Sequence, residues 1–318
     1  MTKKSPSEPE LSVTRQTVSA LSQSSWDLWN SLTDEHVPGV LYHYTSISTL
    51  FSILSGQTLH LGHVDQMNDP EELAYFDGVF RKAVARYAST PDGGSGFFSG
   101  YYERGLNNIE PNRDTFAFCM SELPDAMSQW QMYGDSCKGI AIGIDLKKSW
   151  DGLKQNIYSD RGITLGMGKV RYEPEEQLSC ALAFIASWDR FYQSHWTKDT
   201  GVSQASDVAF AKVMGGEQRK LASYIKAPCW ASEREWRLVA SINSDDLGKL
   251  AGTKLHRSTI SAYVIVSFRE RAQADIVSLI IGPLSTLSMH SPGLRCQLAK
   301  SHLLPSVVSK SGIAMRWM

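Results

Sequence analysis

The chain has 318 residues and a formal net charge of −1, from 32 basic and 33 acidic side chains. Hydrophobic residues make up 42% of it and charged residues 20%, which is typical of a globular protein that buries a sizeable core. The balanced charge gives no global attraction to nucleic acid, and no apolar run approaches the roughly 20 residues that span a bilayer. Five scattered cysteines fit neither a disulfide framework nor a zinc ribbon, so the sequence predicts a cytoplasmic protein.

Apolar residues in the first half of the chain alternate between helical and strand spacing. Residues 1–16 are predicted to form a flexible lead, because they are polar and lack the apolar core of a signal peptide. Ser46 is expected to cap a helix that Gly56 ends. The glycine-rich segment 91–100 is predicted to be a loop, either an insertion or a mobile flap. The predicted helices of this half lie at 18–32, 47–55, around 70–80 and at 127–133, and the predicted strands at 40–44, 58–62, 115–120 and 139–144.

The second half contains two long helical patterns, at 175–196 and 206–226. No internal repeat, low-complexity tract or clean linker separates the chain into parts. We therefore predict one α+β domain over 17–318, with an N-terminal helix and helical insertions at about 174–226. Further strands are predicted at 169–172, 236–242, 262–267, 278–281 and 313–317, and further helices at 269–275 and 293–302.

The strand at 40–44 places a histidine next to the N-terminus of the following helix. Because side chains alternate along a strand, His43 is expected on the face opposite to Tyr42 and Tyr44. A helix N-terminus suits an anionic group such as a pyrophosphate. Two interpretations stay open for His43. It is either a half-buried histidine bonded to a backbone carbonyl or a donor to a ribose hydroxyl in a cleft.

Two acidic residues, Glu233 and Glu235, lie two positions apart just before an apolar run. They share a face if the strand begins early. In one interpretation they form a surface ion network with neighbouring cations. In the other, one carboxylate binds a sugar hydroxyl and stabilises a cationic sugar, as in glycosidic bond cleavage. The candidate cations of the ion network are Lys226, Arg234 and Arg237.

Other polar and aromatic residues favour structural interpretations. No metal site is predicted, because His60 and His63 are three residues apart on a strand and face opposite sides. The acids Glu71 and Glu72 are interpreted as a favourable first turn of a helix. An aromatic residue such as Trp130 either fills the core or stacks on a nicotinamide ring.

Five separated segments form a set of motifs. They are Leu41 to Ser46 with Leu50, Ile53 and Leu54; Asn68 to Glu71; Phe118 to Ser121; Trp130 to Tyr133 with Lys138 and Gly139; and Lys226 with Trp230 and the run Glu233 to Arg237. In this order they resemble the bacterial family known as domain of unknown function 2971, from about residue 41 to residue 281. The first segment is also similar to the opening of ADP-ribosyltransferases, including the DarT-type toxins that modify DNA and the RNA 2′-phosphotransferases.

This resemblance implies an ADP-ribosyltransferase-like fold, which is a split mixed or antiparallel sheet with flanking and inserted helices. It also implies a site that cleaves NAD. His43 matches the position that binds NAD, and Glu235 matches the catalytic glutamate, with Glu233 as its upstream partner. In such folds a middle strand also carries a site residue. The resemblance leaves His60, His63 and Ser121 as candidates for that position.

The implied cofactor is NAD, consumed as a substrate, and the implied activity is transfer of its ADP-ribose. Tyr44 and Thr45 are expected to hold the adenosine or pyrophosphate part beside His43. Tyr75 or Trp130 is expected to clamp the nicotinamide. The acceptor is an unidentified protein or nucleic acid, or water. The resemblance further implies a role as a bacterial toxin or phage-defence effector, with a cognate inhibitor or partner protein.

Two alternatives remain open. The first is a non-catalytic nucleotide-binding or sensor module of the same fold, in which Glu235 pairs with Arg237 and never touches a sugar. The second is a nucleic-acid-processing or nucleic-acid-binding protein, which needs a basic groove. The residues that would have to cluster in such a groove are Lys169, Arg171, Lys226, Arg234 and Arg237.

Overall fold

The structure, a computed structural model, describes residues 37–67, 71–93, 96–145, 162–201, 203–256, 259–267 and 276–315. Several predicted features lie outside the described residues. They are the lead at 1–16, the helices at 18–32 and 269–275, and the turn at 68–70. Within the described ranges no helix is both long enough and apolar enough to cross a lipid bilayer.

Ten strands and eight α-helices are found among the described residues. The strands are β1 (Leu41–Thr45), β2 (Thr58–His63), β3 (Arg113–Ser121), β4 (Ile140–Ile144), β5 (Thr164–Lys169), β6 (Glu235–Asn243), β7 (Ala251–His256), β8 (Thr259–Ser267), β9 (Ile276–Ile281) and β10 (Val308–Lys310). The helices are α1 (Ile47–Gly56), α2 (Glu72–Ala88), α3 (Met127–Met132), α4 (Pro174–Phe191), α5 (Thr197–Thr200), α6 (Gln204–Ala222), α7 (Leu247–Leu250) and α8 (Pro292–Lys300). A π-helical turn, Tyr192–Trp196, follows α4, and a 3₁₀ turn, Pro228–Glu233, precedes β6.

The strands form one mixed sheet that branches at β3. Eight strands follow the order β10-β9-β4-β1-β3-β2-β8-β7, while β6 pairs with β3 and β5. All these pairings are antiparallel except β9 with β10. A strand has only two edges and β6 pairs along the whole of β3, so β1 and β2 share the other edge. The predicted α+β class with a mixed sheet is confirmed.

The two faces of the sheet are covered differently. One face carries the main apolar core, to which helices α1 and α8 contribute buried residues such as Leu50 and Leu298. Helix α1 begins as the sequence predicts, since Ser46 Oγ accepts a hydrogen bond from the Thr49 amide. Helices α2, α4 and α6 form a second core of their own, rich in aromatic residues, and α6 also contacts β3 and β6.

The glycine-rich segment 91–100 is not a flap in its described part. Phe97 and Phe98 are 1% and 0% exposed and belong to the core of the helical layer. The buried carboxylate of Asp189 accepts a hydrogen bond of 2.6 Å from the Phe97 amide. A Cβ atom at Gly96 would lie 2.1 Å from Asp189 Oδ2, so this glycine permits the close approach. The segment is therefore packed into the helical layer, and its residues 94–95 lie outside the description.

Candidate functional site

Five buried charged side chains meet on one face of the sheet. They come from the first turn of α2, from the segment after α6, from the 3₁₀ turn, and from the start of β6, and each is 7% exposed or less. We refer to them as the charge cluster. Its members are Glu72, Lys226, Glu233, Glu235 and Arg237.

Arg237 occupies the deepest position in the charge cluster, at 0% exposed. Residues two apart on a strand share a face, so Arg237 lies beside Glu235 while Trp236 faces the main core. Arg237 donates to Glu235 Oε1 at 2.8 Å and Oε2 at 3.0 Å. It also donates to both oxygens of Glu72, with Nη2 to Oε2 at 3.0 Å. One guanidinium thus bridges two carboxylates from elements that are far apart in sequence.

Lys226 bridges the two members of the Glu-x-Glu pair. Its ammonium donates to Glu233 Oε2 at 2.6 Å and to Glu235 Oε2 at 3.4 Å. The ammonium also lies 4.8 Å from the centroid of the Trp230 ring, within the range of a cation–π contact. Charges therefore alternate along the cluster, in the order Glu233, Lys226, Glu235, Arg237 and Glu72. With all five ionised, three carboxylates face two cations and the cluster has a charge of −1.

The Glu233 end of the charge cluster reaches the protein surface. Tyr133, just after α3, donates its hydroxyl to Glu233 Oε1 at 2.7 Å. Tyr133 and Trp230 are both half-buried, and the chain on either side of Glu233 is exposed. The end of β3 holds this turn in place, because Ser121 Oγ donates to the Glu233 carbonyl at 2.7 Å. Glu233 is thus a buried member of the charge cluster that lies directly beneath exposed chain.

The two glutamates differ in how many acceptor positions are filled. An ionised carboxylate has about four lone-pair positions. Glu235 accepts from Arg237 twice, from Lys226 and from the Cys119 thiol. Glu233 accepts from Tyr133 and Lys226. Among the described residues, Glu233 therefore keeps about two acceptor positions for a ligand, and Glu235 keeps none.

Ion pairing sets the charge states of the cluster. Burial alone would raise the pKa of Glu235, but Arg237 and Lys226 outweigh it and hold this pKa at about 2. Burial likewise opposes the charge of Lys226, yet Glu235 and Glu233 keep its pKa above the ordinary value. Burial and the bond to Glu233 raise the pKa of Tyr133, so this hydroxyl remains a proton donor at neutral pH. Glu235 and Lys226 are thus charged at pH 7.

His43 does not meet Glu235, which corrects the expectation that they share a crevice. Tyr42 pairs with Ser121, which pairs with Glu235, so these three side chains project from one face. His43 projects from the opposite face, where its ring stacks on Phe118 with centroids 4.1 Å apart. Its Nδ1 is 2.8 Å from the Cys119 carbonyl oxygen, between the parts of β3 that pair with β1 and β2. His43 is therefore a half-buried histidine bonded to a backbone carbonyl, as the first of its two interpretations expected. Burial lowers its pKa to about 4.

The other expected NAD contacts are buried or hydrogen-bonded to other groups. Trp130 is 0% exposed and donates its indole N–H to Asp125, so its ring is not available to clamp a nicotinamide. Tyr44 and Thr45 are buried, at 5% and 8% exposed. Tyr75 donates its hydroxyl to Gln177 in the helical layer. In place of these side chains, the structure brings Tyr133 and Trp230 to the Glu233 end.

Three members of this site were not singled out by sequence reasoning. Glu72 looked like an acid that favours a helix N-terminus, and only the tertiary fold turns it toward Arg237. Tyr172 accepts a hydrogen bond from the Glu235 amide through its hydroxyl, at 3.2 Å. Cys119 lies beside Arg237 in the β3–β6 register. The alternation of β3 residues would have placed Cys119 with Ser121 on one face, but nothing local indicated the partner strand.

The structure thus defines an α+β protein whose branched sheet holds a buried charge cluster. Residues 129–238 match the model of a family described as a protein of unknown function (DUF2971). The matched segment is similar to that family over about a third of the chain, and it contains Tyr133 and every member of the charge cluster except Glu72. No curated protein and no solved structure was found to match the chain.

Proposed function

We propose that the protein is an ADP-ribosyltransferase-like enzyme that binds NAD as a consumed substrate at the Glu233 end of the charge cluster. The observation that carries the proposal is a buried carboxylate, Glu233, with about two unfilled acceptor positions, which is bonded to Tyr133 and shares its turn with the half-buried Trp230. A carboxylate in a water-poor site stabilises a cationic sugar, which is the species formed when nicotinamide leaves.

The charges of the cluster support this role. With one more carboxylate than cations, the site favours a ligand with positive charge near Glu233. Lys226 and Arg237 are fixed by Glu235, so the field around Glu233 is organised before a ligand arrives. The half-buried rings of Tyr133 and Trp230 supply flat apolar surface for a ribose or a pyridine ring.

The proposed roles of the two glutamates are exchanged relative to the expectation from resemblance. Glu233 accepts a hydrogen bond from the nicotinamide ribose and stabilises the cationic sugar. Glu235 has its acceptor positions filled and acts as a positioning residue for Lys226 and Arg237. Tyr133 donates to Glu233 and orients its carboxylate. The acceptor of the ADP-ribose is a protein, a nucleic acid or water.

Incubation with NAD labelled in the nicotinamide tests this proposal. The wild type is expected to release nicotinamide, and Glu233→Gln to release it about 10²-fold more slowly, the loss typical of one missing electrostatic contact in a transition state. Arg234→Gln is the matched control, because Arg234 is an exposed neighbour outside the cluster, and it should retain activity within about twofold. Equal rates in the wild type and Glu233→Gln would remove Glu233 from its role.

One observation favours a second candidate, a non-catalytic nucleotide-binding module. Glu235 pairs with Arg237, as that alternative expects. Binding of NAD without nicotinamide release by the folded wild type would support the module and end the enzyme proposal. Four of the five basic residues expected for the nucleic-acid alternative have acidic partners, which does not support the basic groove that this alternative needs. These residues are Lys169, Arg171, Lys226 and Arg237.

A further inference from the structure

The first turn of α2 carries one member of the charge cluster, Glu72, and one neighbour of it, Tyr75. Glu72 and Tyr75 are three residues apart and lie on one face of the helix. Glu72 pairs directly with Arg237. Tyr75 donates its hydroxyl at 2.8 Å to Gln177 Oε1, on α4. Helix α2 thus contacts Arg237 of the charge cluster directly through Glu72. Through Tyr75 it contacts Gln177, which is not a member of the cluster.

Gln177 is 0% exposed and its polar atoms all have partners. Its amide nitrogen donates to the Arg171 carbonyl at 2.9 Å and to the Lys226 carbonyl at 2.8 Å. The Lys226 amide in turn donates to the Arg171 carbonyl at 3.2 Å. The Gln177 amide therefore holds the Lys226 carbonyl directly, and it also holds the Arg171 carbonyl that accepts from the Lys226 amide.

We propose that Gln177 is a positioning residue that sets the backbone of Lys226 and thereby aims its ammonium at Glu233 and Glu235. The ammonium lies 2.6 Å from Glu233 Oε2 and 3.4 Å from Glu235 Oε2. A small shift of the backbone therefore changes which carboxylate is its nearer hydrogen-bond partner. A buried carbonyl that loses its donor carries the full cost of its desolvation, so we expect the Lys226 backbone to shift when the Gln177 amide is removed. The expected effect of Gln177 on ligand binding rests on the proposed function. The expected effect of Gln177 on Lys226 does not.

The test follows the Lys226 ammonium by NMR in protein labelled with ¹⁵N-lysine, with Lys226→Arg used for assignment. In the wild type we expect a slowly exchanging ammonium resonance, because the Lys226 side chain is 5% exposed and hydrogen-bonded. Gln177→Met keeps the length of the side chain and removes both donors. Its Lys226 resonance should exchange at least about tenfold faster or disappear.

Tyr75→Phe is the matched control, because it removes the third contact of Gln177 and leaves both of its donations in place. Its Lys226 resonance should stay within about twofold of the wild type. Gln177→Asn is the second variant if Gln177→Met does not fold, since its shorter amide cannot span both carbonyls. A folded Gln177→Met or Gln177→Asn with an unchanged resonance, or an equal change in Tyr75→Phe, would overturn the proposal.

NAD affinity separates this inference from the proposed function. If the wild type binds NAD, folded Gln177→Met should bind it about tenfold more weakly. If the wild type binds no NAD, the proposed function fails while the ammonium resonance still decides the role of Gln177. An unchanged NAD affinity in Gln177→Met, in a wild type that does bind, would contradict the link from Gln177 to Glu233.

Discussion

Replacement of Arg237 by methionine tests whether the charge cluster holds the fold together at this point. The side chain is fully buried and donates to Glu235, to Glu72 and, at 2.9 Å, to the Ser223 carbonyl. Arg237→Met leaves two buried carboxylates without their main partner. Breaking a buried ion pair costs about 3–5 kcal/mol, out of the about 5–15 kcal/mol that stabilises a typical protein. We expect a loss of that size in urea unfolding at pH 7.

The pH dependence of this loss gives the sign of the electrostatic effect. In the wild type the pKa of Glu235 is about 2, below its ordinary value of 4.5. Its contribution to stability is therefore present above pH 4.5 and is lost as the pH falls toward 2. Without Arg237, burial raises the pKa of Glu235, so the variant takes up a proton in the folded state. The difference between the two proteins should shrink between pH 7 and pH 4, by at most about 3 kcal/mol.

Arg234→Met is the control for this experiment, because Arg234 is an exposed arginine three positions before Arg237. Arg234 keeps a left-handed backbone with φ of 44°, and methionine meets the same constraint there. Its unfolding free energy should stay within about 0.5 kcal/mol of the wild type. If Arg237→Met were as stable as this control, or if its deficit grew as the pH fell, the ion-pair reasoning would be refuted.

Three further variants test other parts of the fold. The pKa of His43 is about 4 in the folded protein, against an ordinary value of 6.5, so its contribution to stability is present above pH 6.5 and is lost as the pH falls toward 4. His43→Gln should therefore reduce the loss of unfolding free energy between pH 6.5 and pH 4, measured in urea. An unchanged pH dependence would contradict the burial of His43. Gly96→Ala would place a methyl group against Asp189 and should destabilise the protein by about 1–3 kcal/mol in thermal unfolding, whereas Gly248→Ala, which meets nothing within 4 Å, should not. Tyr44→Phe removes the hydroxyl that accepts a hydrogen bond from the Ala126 amide at 3.0 Å, and it should cost about 1–3 kcal/mol of unfolding free energy. Fast hydrogen exchange of the Ala126 amide in the wild type would show that solvent reaches this amide, and would contradict the expectation.

Local patterns predicted the elements whose determinants lie within one turn or one strand. Helix α1 was predicted from its cap and apolar spacing, and the structure ends it at Gly56 with Gln57 in the left-handed conformation, one residue later than expected. Strand β6 begins at Glu235, so the Glu-x-Glu pair straddles a 3₁₀ turn and a strand. The two carboxylates still meet, because Lys226 binds both of them.

Elements with weak local patterns were misplaced or missed. The strand expected at 169–172 lies at Thr164–Lys169, where β6 supplies the pairing partner. Strand β7 was not predicted, since its sequence has little apolar alternation and β8 holds it in the sheet. Residues 313–315, expected to begin a strand, form none. For β5 and β7, the strand that each pairs with, rather than its own local pattern, decides the conformation.

The candidate site depends on contacts that no local pattern contains. Glu72 and Arg237 are 165 positions apart, and the first is a good helix-start residue wherever its side chain points. The i, i+2 spacing was applied to Glu233 and Glu235, whereas in the structure it is Glu235 and Arg237 that share a face of β6. The same alternation shows why His43 and Glu235 are separated, but only the β1–β3–β6 register reveals it. Register across three strands is a tertiary property, set by which faces the core buries.

The most direct test of the account is a crystal structure of the protein with bound NAD. The account predicts the nicotinamide ribose between Tyr133 and Trp230, with a ribose hydroxyl within hydrogen-bond distance of Glu233 and with the Glu235–Arg237 pair unchanged. NAD bound instead beside His43, on the opposite face of the sheet, would contradict it.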